Sequence, residues 1–537
     1  MNCMTNKIES MILNKKIVAL MLTGITMATL SVVSCEKDLN KTNTDGQSIP
    51  QYFNNSASLL SATNSIYSTM HAVALVGREW FFTHDLRSDE VATGGGQLEA
   101  PRAQILNGAS DPSNSVLTPV WSALYTMIHR ANTVLDYSAN GKDNPTLTAR
   151  NVGEAKFLRA WAYYDLVTMW GPVPIYTTTA KTQNDYQPRS KETDVYALII
   201  KDLQDAVAAL PEKSGYGAAD QGRATKSAAN AMLGRVYMQT GDYANARASF
   251  LLIPTTGADG YSLTDRYLDN FEEETEFNKE SIFEVIFYDK SDNNFNWGGA
   301  SVGDGPSADQ STVRNQEYCG VAWRNLIPSN KYLNEFERTT TGAAKTDPRY
   351  TFSVYKTGDT YNNGASTLTD ADQNGNSSVI NGVTQKVSWR KWLLMYKEKS
   401  SFHPGGNNQR LIRYAEILID LAECENELGN ILPAVAYLNQ VRDRASVTMP
   451  HYPTAQFPTG TKDQITKAIM HEKMVELGCE ELRNIDIIRW RKKGYFTTDP
   501  LSYFRANRDE LLPIPQGEID NNPKLGAGGV SKQNPGY

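Results

Sequence analysis

Apolar residues recur at helical spacing along most of the chain. In residues 196–210 they fall at i, i+3, i+4, i+7, i+10, i+11 and i+14, which is one face of an α-helix. The same spacing runs through residues 121–135 and 411–428. Thr118 and Pro119 precede the stretch 121–135 and are predicted as its N-cap and first helical residue. The pattern predicts a mainly α-helical protein.

Two stretches carry a finer pattern of small and large residues, which predicts tetratricopeptide-like helix pairs. In such pairs small residues let two antiparallel helices approach, and large residues fill the gap. The first copy consists of Leu233, Gly234, Tyr237, Gly241, Tyr243, Ala246 and Phe250. The second, degenerate copy consists of Leu421, Ala422, Gly429, Ala434 and Leu438. A further helix is predicted over 154–170, ended by Gly171 and Pro172.

Residues 271–409 break the helical pattern. They are rich in Gly, Asn, Asp and Ser, and only 281–288 reads as a strand. Long loops on a rigid scaffold are where binding residues concentrate. We therefore expect a ligand site in or near this section.

The N-terminus has the layout of a secretion signal. Lys15 and Lys16 precede an uncharged, mostly apolar stretch over 17–34. It ends in Val-Val-Ser before Cys35, which resembles a bacterial lipobox, whose cysteine is acylated and becomes the mature N-terminus. The alternative is an uncleaved anchor helix. Met11 is a second candidate start that gives a more ordinary signal length.

Composition narrows the class of protein. The chain has 537 residues, 40% hydrophobic and 21% charged, which suits a large folded core. A net charge of −7 argues against nucleic-acid binding, and 10% aromatic residues suit ligand surfaces. The cysteines after Cys35 are odd in number, so no disulfide framework is implied, although one pair is possible. Of these three, Cys424 and Cys479 are predicted to be buried thiols.

Catalytic signals are sparse. None of the six histidines has metal-ligand spacing, and neither HExxH nor CxxC occurs. Residues 299–303 match GxSxG but lack the strand and helix that a nucleophile elbow needs, so we interpret them as a loop. Glu272–Glu274 are interpreted as a solvated face, and a glycosidase carboxylate pair elsewhere stays open because such pairs form only in three dimensions.

One segment resembles the first half of a calcium-binding loop. Asp370, Asp372 and Asn374 alternate, and Gly375 follows for the turn. The twelfth position is Asn381 and not the bidentate glutamate, and flanking helices are absent from the pattern. The alternatives are a structural calcium site and a solvated Asx-rich turn; no other cofactor is expected.

Several motifs together resemble the SusD/RagB family of outer-membrane nutrient-binding lipoproteins. They are residues 154–174, the RYAE helix at 413–423, residues 439–445, Asp-Pro-Arg at 347–349, and the C-terminal segments 512–519 and 533–537. Between Glu472 and Trp490 the sequence departs from the family's residue pattern at some positions. The residues there that do match are interpreted as a structural charge network: Glu476, Glu480, Arg483, Asp486, Arg489 and Trp490.

The resemblance implies an α-helical protein with tetratricopeptide-like pairs on one side and an irregular, loop-rich half with a few short strands. Such proteins are lipid-anchored in the outer membrane, face the exterior and cap a SusC-like, TonB-dependent barrel. They capture oligosaccharides and have no catalytic activity. Peptide capture is the alternative, and a surface glycoside hydrolase a weaker one. The corresponding division is a signal peptide at 1–34, a tether at 35–50, a helical region at 51–270, a ligand-binding section at 271–409 and a second helical region at 410–537.

The family's ligand positions vary, so candidates come from this sequence. A candidate sugar platform combines aromatic rings with amides and charged groups. The first set is Phe295, Asn296 and Trp297, and the second is Tyr318, Trp323, Arg324 and Asn325. A third set is Trp80, Asp85, Asp89 and Glu90. The alternative for each set is a role in the folded core.

Overall fold

Helices form most of the first half of the chain, where the apolar spacing predicts them. The computed structural model describes residues 49–96, 98–288, 311–338, 346–400 and 403–537. The chain divides into two units, residues 1–54 and residues 55–537. In the first unit, helix α1 spans Ile49–Tyr52, and the other described elements belong to the second.

The helices of the second unit fall into two groups. Those before residue 271 are α2 (Ser56–Met70), α3 (Glu79–Leu86), α4 (Ala100–Leu106), α5 (Leu117–Tyr137), α6 (Pro145–Trp170), α7 (Glu192–Ala209), α8 (Lys226–Thr240) and α9 (Tyr243–Phe250). Those after it are α10 (Arg314–Tyr318), α11 (Asn330–Glu335), α12 (Arg349–Ser353), α13 (Tyr414–Glu427), α14 (Ile431–Arg442), α15 (Lys462–Leu477), α16 (Arg483–Lys492) and α17 (Gln516–Asn521).

Helix α6 lies at the centre of the first group. Residues 157–170 are all buried, and α6 packs against both α5 and α7. Its polar side chains have internal partners, such as Arg159 with Asp202 at 2.8 Å. The helix ends at Trp170, as predicted, and is followed by Gly171, whose φ of +71° favours glycine, and by a proline.

The N-cap predicted for α5 is wrong. The helix begins at Leu117, so Thr118 lies inside it. The side chain of Asn114 supplies the cap: its Oδ1 accepts hydrogen bonds from the backbone N–H groups of Val116 and Leu117 at 3.0 and 3.1 Å. This satisfies N–H groups that a helix start leaves unpaired.

The two tetratricopeptide-like pairs, α8–α9 and α13–α14, pack together although they are far apart in sequence. Within the first pair, a Cβ on Gly234 would lie 2.2 Å from Cε1 of Phe250, so the glycine permits the close approach. Helix α9 packs against α13. Arg235 of α8 also forms a buried ion pair with Glu416 of α13. The pairs therefore form one continuous helical block.

Short strands supply the remaining regular structure. The strands are β1 (Val91–Thr93), β2 (Val173–Pro174), β3 (Arg189–Ser190), β4 (Ser281–Val285), β5 (Leu326–Pro328), β6 (Val354–Lys356), β7 (Thr360–Tyr361), β8 (Ser366–Thr367), β9 (Ser378–Ile380), β10 (Val383–Gln385), β11 (Val387–Trp389) and β12 (Gln409–Arg413). They pair antiparallel as β1–β5, β2–β3, β4–β12, β6–β11, β7–β8 and β9–β10. The predicted mainly α-helical class with a few short strands is confirmed.

Two predicted boundaries near β4 and β12 are wrong. The strand expected over 281–288 ends at Val285, and the helix expected from Leu411 begins at Tyr414. Residues 409–413 pair with β4 instead. Arg413, the last residue of β12, is paired with Ser281 of β4, and its guanidinium bonds Glu280 and Glu476.

The charge network predicted near the C-terminus is confirmed. Glu476 of α15 contacts three buried arginines: Arg413 at 2.8 Å, Arg444 at 2.7 Å and Arg349 at 3.1 Å. These arginines lie on β12, just after α14 and on α12, so the carboxylate joins several elements. The other predicted members are also buried and paired: Glu480, Arg483, Asp486, Arg489 and Trp490.

The described cysteines Cys319, Cys424 and Cys479 are buried free thiols, as predicted for the last two. Among the described helices, none combines the length and the hydropathy required to cross a membrane.

Candidate functional site

Three chain segments meet at one loop-rich surface. Strand β1 pairs with β5, which brings residues 94–96 beside the chain that enters β5. The backbone N–H of Gly94 donates to the carbonyl of Asn325 at 2.9 Å, and that of Asn376 donates to the carbonyl of Gly94 at 2.7 Å. We call residues 94–96, 321–325 and 374–376 together the Trp323 surface.

Glycine makes this close approach possible. A Cβ on Gly94 would lie 1.7 Å from the carbonyl oxygen of Arg324, and one on Gly375 would lie 2.1 Å from the carbonyl oxygen of Gly94. Real Cβ atoms do not approach that closely, so both positions need residues without side chains. The backbones therefore pack directly against each other.

The side chain of Arg324 connects the three segments through hydrogen bonds. Its side chain is buried, with the residue 1% exposed. Nη1 donates to the carbonyls of Gly94 (3.1 Å) and Asn374 (2.8 Å). Nη2 donates to those of Asn376 (3.0 Å) and Val387 (2.7 Å). Burial lowers the pKa of Arg324 to about 10, so the guanidinium stays charged at neutral pH. The guanidinium of Arg324 thus has hydrogen-bond partners inside the protein.

Tyr318 and Asn325 are also buried. The Tyr318 hydroxyl donates to Oδ2 of Asp85 at 2.7 Å, and burial raises the pKa of both groups. Nδ2 of Asn325 donates to Oε2 of Glu317. The Tyr318–Asp85 bond brings the second and third candidate sets together, although they are far apart in sequence.

Trp80 and Asp89, from the third set, connect helices. Nε1 of Trp80 donates to Asp165 of α6. Asp89 pairs with Arg483 of α16 at 2.7 Å and with Lys331 of α11. Burial by itself raises the pKa of Asp89, but these two cations lower it to about 2. A role of either residue in ligand binding stays a prediction.

Trp323 differs from the other described candidate aromatics because it is only half-buried. The neighbouring Asn374 and Asn376 are exposed. Nδ2 of Asn376 donates to the carbonyl of Thr93 at 3.1 Å, which fixes the amide beside the glycine run. Trp323 and the two exposed asparagines thus belong to segments that the Arg324 side chain joins, and an indole ring together with amides suits a polar ligand with apolar faces.

The first candidate set, Phe295, Asn296 and Trp297, lies outside the described residues, as does the GxSxG match at 299–303. Gly94–Gly96 and Asn376 were not predicted from the sequence as parts of the surface. The signals for them were the run of three glycines after β1 and the Asn-Gly-Asn triplet at 374–376.

The calcium candidates border the Trp323 surface. Oδ2 of Asp372 accepts from the backbone N–H and the hydroxyl of Thr369, at 2.8 and 2.6 Å. Oδ1 of Asp370 accepts from the hydroxyl of Thr357 at 2.5 Å. Within the described ranges, no group of three or more His, Cys, Asp or Glu side chains is placed to hold a metal ion. Calcium binding by Asp370, Asp372 and Asn374 stays a prediction.

Comparisons with protein families match both halves of the chain. A family profile described as "SusD family" matches residues 279–537. A second profile, described as "Starch-binding associating with outer membrane", matches residues 7–238.

Curated relatives match most of the chain. SusD-like protein P2 of Formosa agariphila is 26% identical over 524 residues, covering 95% of this chain and 98% of its own length. A SusD-like protein of Bacteroides ovatus is 24% identical over 412 residues, covering 72% of this chain and 68% of its own.

Solved structures share the fold. A SusD superfamily protein from Bacteroides vulgatus has a TM-score of 0.73 at 21% identity, covering 88% of this chain and 98% of its own. A laminarin-binding SusD-like protein has a TM-score of 0.69 at 23% identity, with coverage of 90% and 100%. Surface glycan-binding protein A from Bacteroides fluxus has a TM-score of 0.69 at 23% identity, with coverage of 90% and 99%.

Proposed function

Because the chain belongs to the SusD/RagB family, we propose that it is a cell-surface lipoprotein that captures oligosaccharides and delivers them to a SusC-like TonB-dependent barrel. The observation that carries the proposal is the match of both family profiles, one of them described as starch-binding. The proposal assigns binding and no catalytic step to this protein.

The Trp323 surface supports a saccharide as the ligand. The flat face of an indole ring accepts the C–H face of a pyranose, and amides both donate to and accept from hydroxyls. Trp323 and the exposed Asn374 and Asn376 provide these groups on segments that Arg324 joins. Two relatives of the same fold are described as laminarin-binding and as surface glycan-binding. Peptide capture by the same surface is the alternative.

Titration calorimetry of the mature protein tests this proposal, with a panel of polysaccharides and short peptides as probes. Trp323→Ala removes the ring, and a stacked ring contributes about 0.5–1.5 kcal/mol, so affinity for the bound glycan should fall several-fold. The thermal stability should hardly change, because the ring is only half-buried. Tyr186→Ala, a half-buried aromatic on the connection between β2 and β3, is the matched control and should bind like the wild type.

Three outcomes would contradict the proposal: binding of peptides but no glycan, hydrolysis of the bound glycan, or equal affinity of Trp323→Ala and the control.

The proposed lipid anchor and the proposed barrel partner are tested separately in native cells. Cys35→Ala should leave an unlipidated precursor, and the wild type should co-purify with a large barrel in mild detergent. An acylated Cys35→Ala variant would refute the lipidation site, and repeated absence of a barrel would refute the delivery step.

A further inference from the structure

The second unit contains a cavity of about 430 Å³. Its walls are the connection between α7 and α8, the segment after α9, and β4 with the residues just before it. The volume lies within the range of about 300–1,000 Å³ typical of small-molecule sites. None of the residues that line it belongs to the Trp323 surface. It is therefore a separate candidate site.

Aromatic rings and a fixed cation form one part of the wall. Tyr216 and Phe277 are half-buried. Tyr261 is 1% exposed, and its ring lies 4.1 Å from Nζ of Lys213. That ammonium group also donates to the carbonyl of Gly260 at 2.8 Å. Lys213 is thus held in place and retains N–H groups beyond this single bond, because an ammonium has three.

Glu284 supplies an acceptor on the same wall. It is 3% exposed, and its Oε1 accepts from the backbone N–H of Phe277 at 2.7 Å and the hydroxyl of Ser281 at 3.1 Å. Its Oε2 has no hydrogen-bond partner among the described residues, and Nε of Arg410 is 3.7 Å away. Oε2 forms an ion pair with Arg410, so the carboxylate is held in place as one fixed negative charge of the wall.

The charges of the wall favour an uncharged ligand. Arg223 and Asp220 pair with each other at 2.7 Å, and Arg223 also pairs with Glu154 at 2.9 Å. The two further charged groups, Lys213 and Glu284, have opposite signs. With no net excess of either sign, the cavity suits a neutral molecule that carries many hydroxyls.

Backbone conformation at the wall points to a functional constraint. Phe277 has a φ of +53°, which is unfavourable for a bulky side chain. Such strained positions concentrate at ligand sites. Gly222 lies beside Phe277, with a φ of +84°, and a Cβ there would be 2.5 Å from Cδ1 of Ile286. The close packing at this part of the wall therefore needs glycine at position 222.

We propose, resting on the function proposed above, that this cavity is a second saccharide site that holds one or two neutral sugar units. Phe277 and Tyr216 contact the C–H faces of the sugar, and Lys213 donates to a hydroxyl oxygen. The Trp323 surface and the cavity then bind saccharide independently.

A blocking variant tests this site without disturbing the core. Gly217 lines the cavity, is exposed and has a φ of −77°, and no atom of the described residues lies within 4 Å of a Cβ built on it. Gly217→Trp should fold normally and fill the opening. Gly517→Trp on α17, where a Cβ also meets no atom within 4 Å, is the matched control. The probes are maltotriose, cellotriose and laminaritriose, titrated into the mature protein by calorimetry.

For at least one of these probes we expect two sites per chain in the wild type and in Gly517→Trp, and one site in Gly217→Trp. Lys213→Met should weaken the same site at least fivefold, and Trp323→Ala should affect only the other. If Gly217→Trp binds like the wild type while Trp323→Ala loses affinity, the second site is refuted and the proposed function stands. If the wild type binds none of the trisaccharides, the second site is refuted, whereas the proposed function is decided by the polysaccharide panel. Displacement by peptides alone would refute the ligand class.

Discussion

At the scale of single residues, Glu276 is a carboxyl group whose titration should affect stability near neutral pH. Its Oε1 accepts from the backbone N–H of Asn408 at 2.8 Å. Burial, reinforced by Glu284 and Glu273, raises its pKa to about 7, although Arg410 and the bond from Asn408 act in the opposite direction. In the unfolded chain the pKa is the ordinary 4.5. The folded state therefore binds more protons than the unfolded state between these two values, and this contribution to stability falls as the pH rises through that window.

Glu276→Gln removes that titration. Between pH 5 and pH 8, the free energy of unfolding of the wild type should fall relative to that of the variant, measured by urea denaturation at each pH. Asp265→Asn, at a side chain that is 85% exposed, is the control. A constant difference between wild type and Glu276→Gln across this range would contradict the shifted pKa.

Single residues also show that the sequence alone does not predict which side chains are exposed. Trp323, Arg324 and Asn325 are consecutive, and their chemistry predicts one mixed platform. In the structure only Trp323 is partly open, because the partners that bury Arg324 come from distant segments, among them the carbonyls of Gly94 and Val387. Nothing in the local sequence specifies those partners, so Trp323 was predictable as a candidate, but neither the exposure of its neighbours nor the segments that join them was.

At the scale of elements, the packing of α8 on α9 depends on Gly234. A Cβ there would lie 2.2 Å from Cε1 of Phe250, a ring that is itself fully packed. Gly234→Val should therefore lower the free energy of unfolding by about 1–3 kcal/mol through overpacking. Gly517→Val, in helix α17 with open space around it, controls for the helix propensity of valine. Equal stabilities of the two variants would show that the pair is not tightly packed at this position.

Apolar spacing predicts that a helix or strand exists far better than it predicts where that element begins or ends. The helix at 196–210 and the end of the helix at residue 170 were predictable, because amphipathic spacing and a Gly-Pro stop are local signals. The start of α5 and the strand β12 were not. Asn114 caps α5 from outside the apolar pattern, and pairing with β4 draws residues 409–413 out of an otherwise helical stretch.

At the scale of the whole molecule, buried ion pairs connect segments that are far apart in the chain. Glu280, which precedes β4, and Glu476 on α15 both contact Arg413 and Arg444. The sequence predicted a charge network through its resemblance to a family motif. It did not predict which arginines complete the network, because Arg349, Arg413 and Arg444 appeared in separate motifs.

Glu476→Gln should test how strongly this network holds the molecule together. The pKa of Glu476 is well below its usual range, because Arg444, Arg413 and Arg349 overcome the opposing effect of burial. Replacing the carboxylate by an amide of the same shape leaves three buried guanidinium groups undercompensated. Removal of one partner from a buried ion pair typically costs about 3–5 kcal/mol, so the variant should unfold at a much lower urea concentration. Lys201→Gln breaks a surface pair with Asp205, where the lysine is 67% exposed, and should cost less than about 1 kcal/mol. If both variants lose equally little stability, the network does not stabilise the fold, and the linkage between segments must come from apolar packing alone.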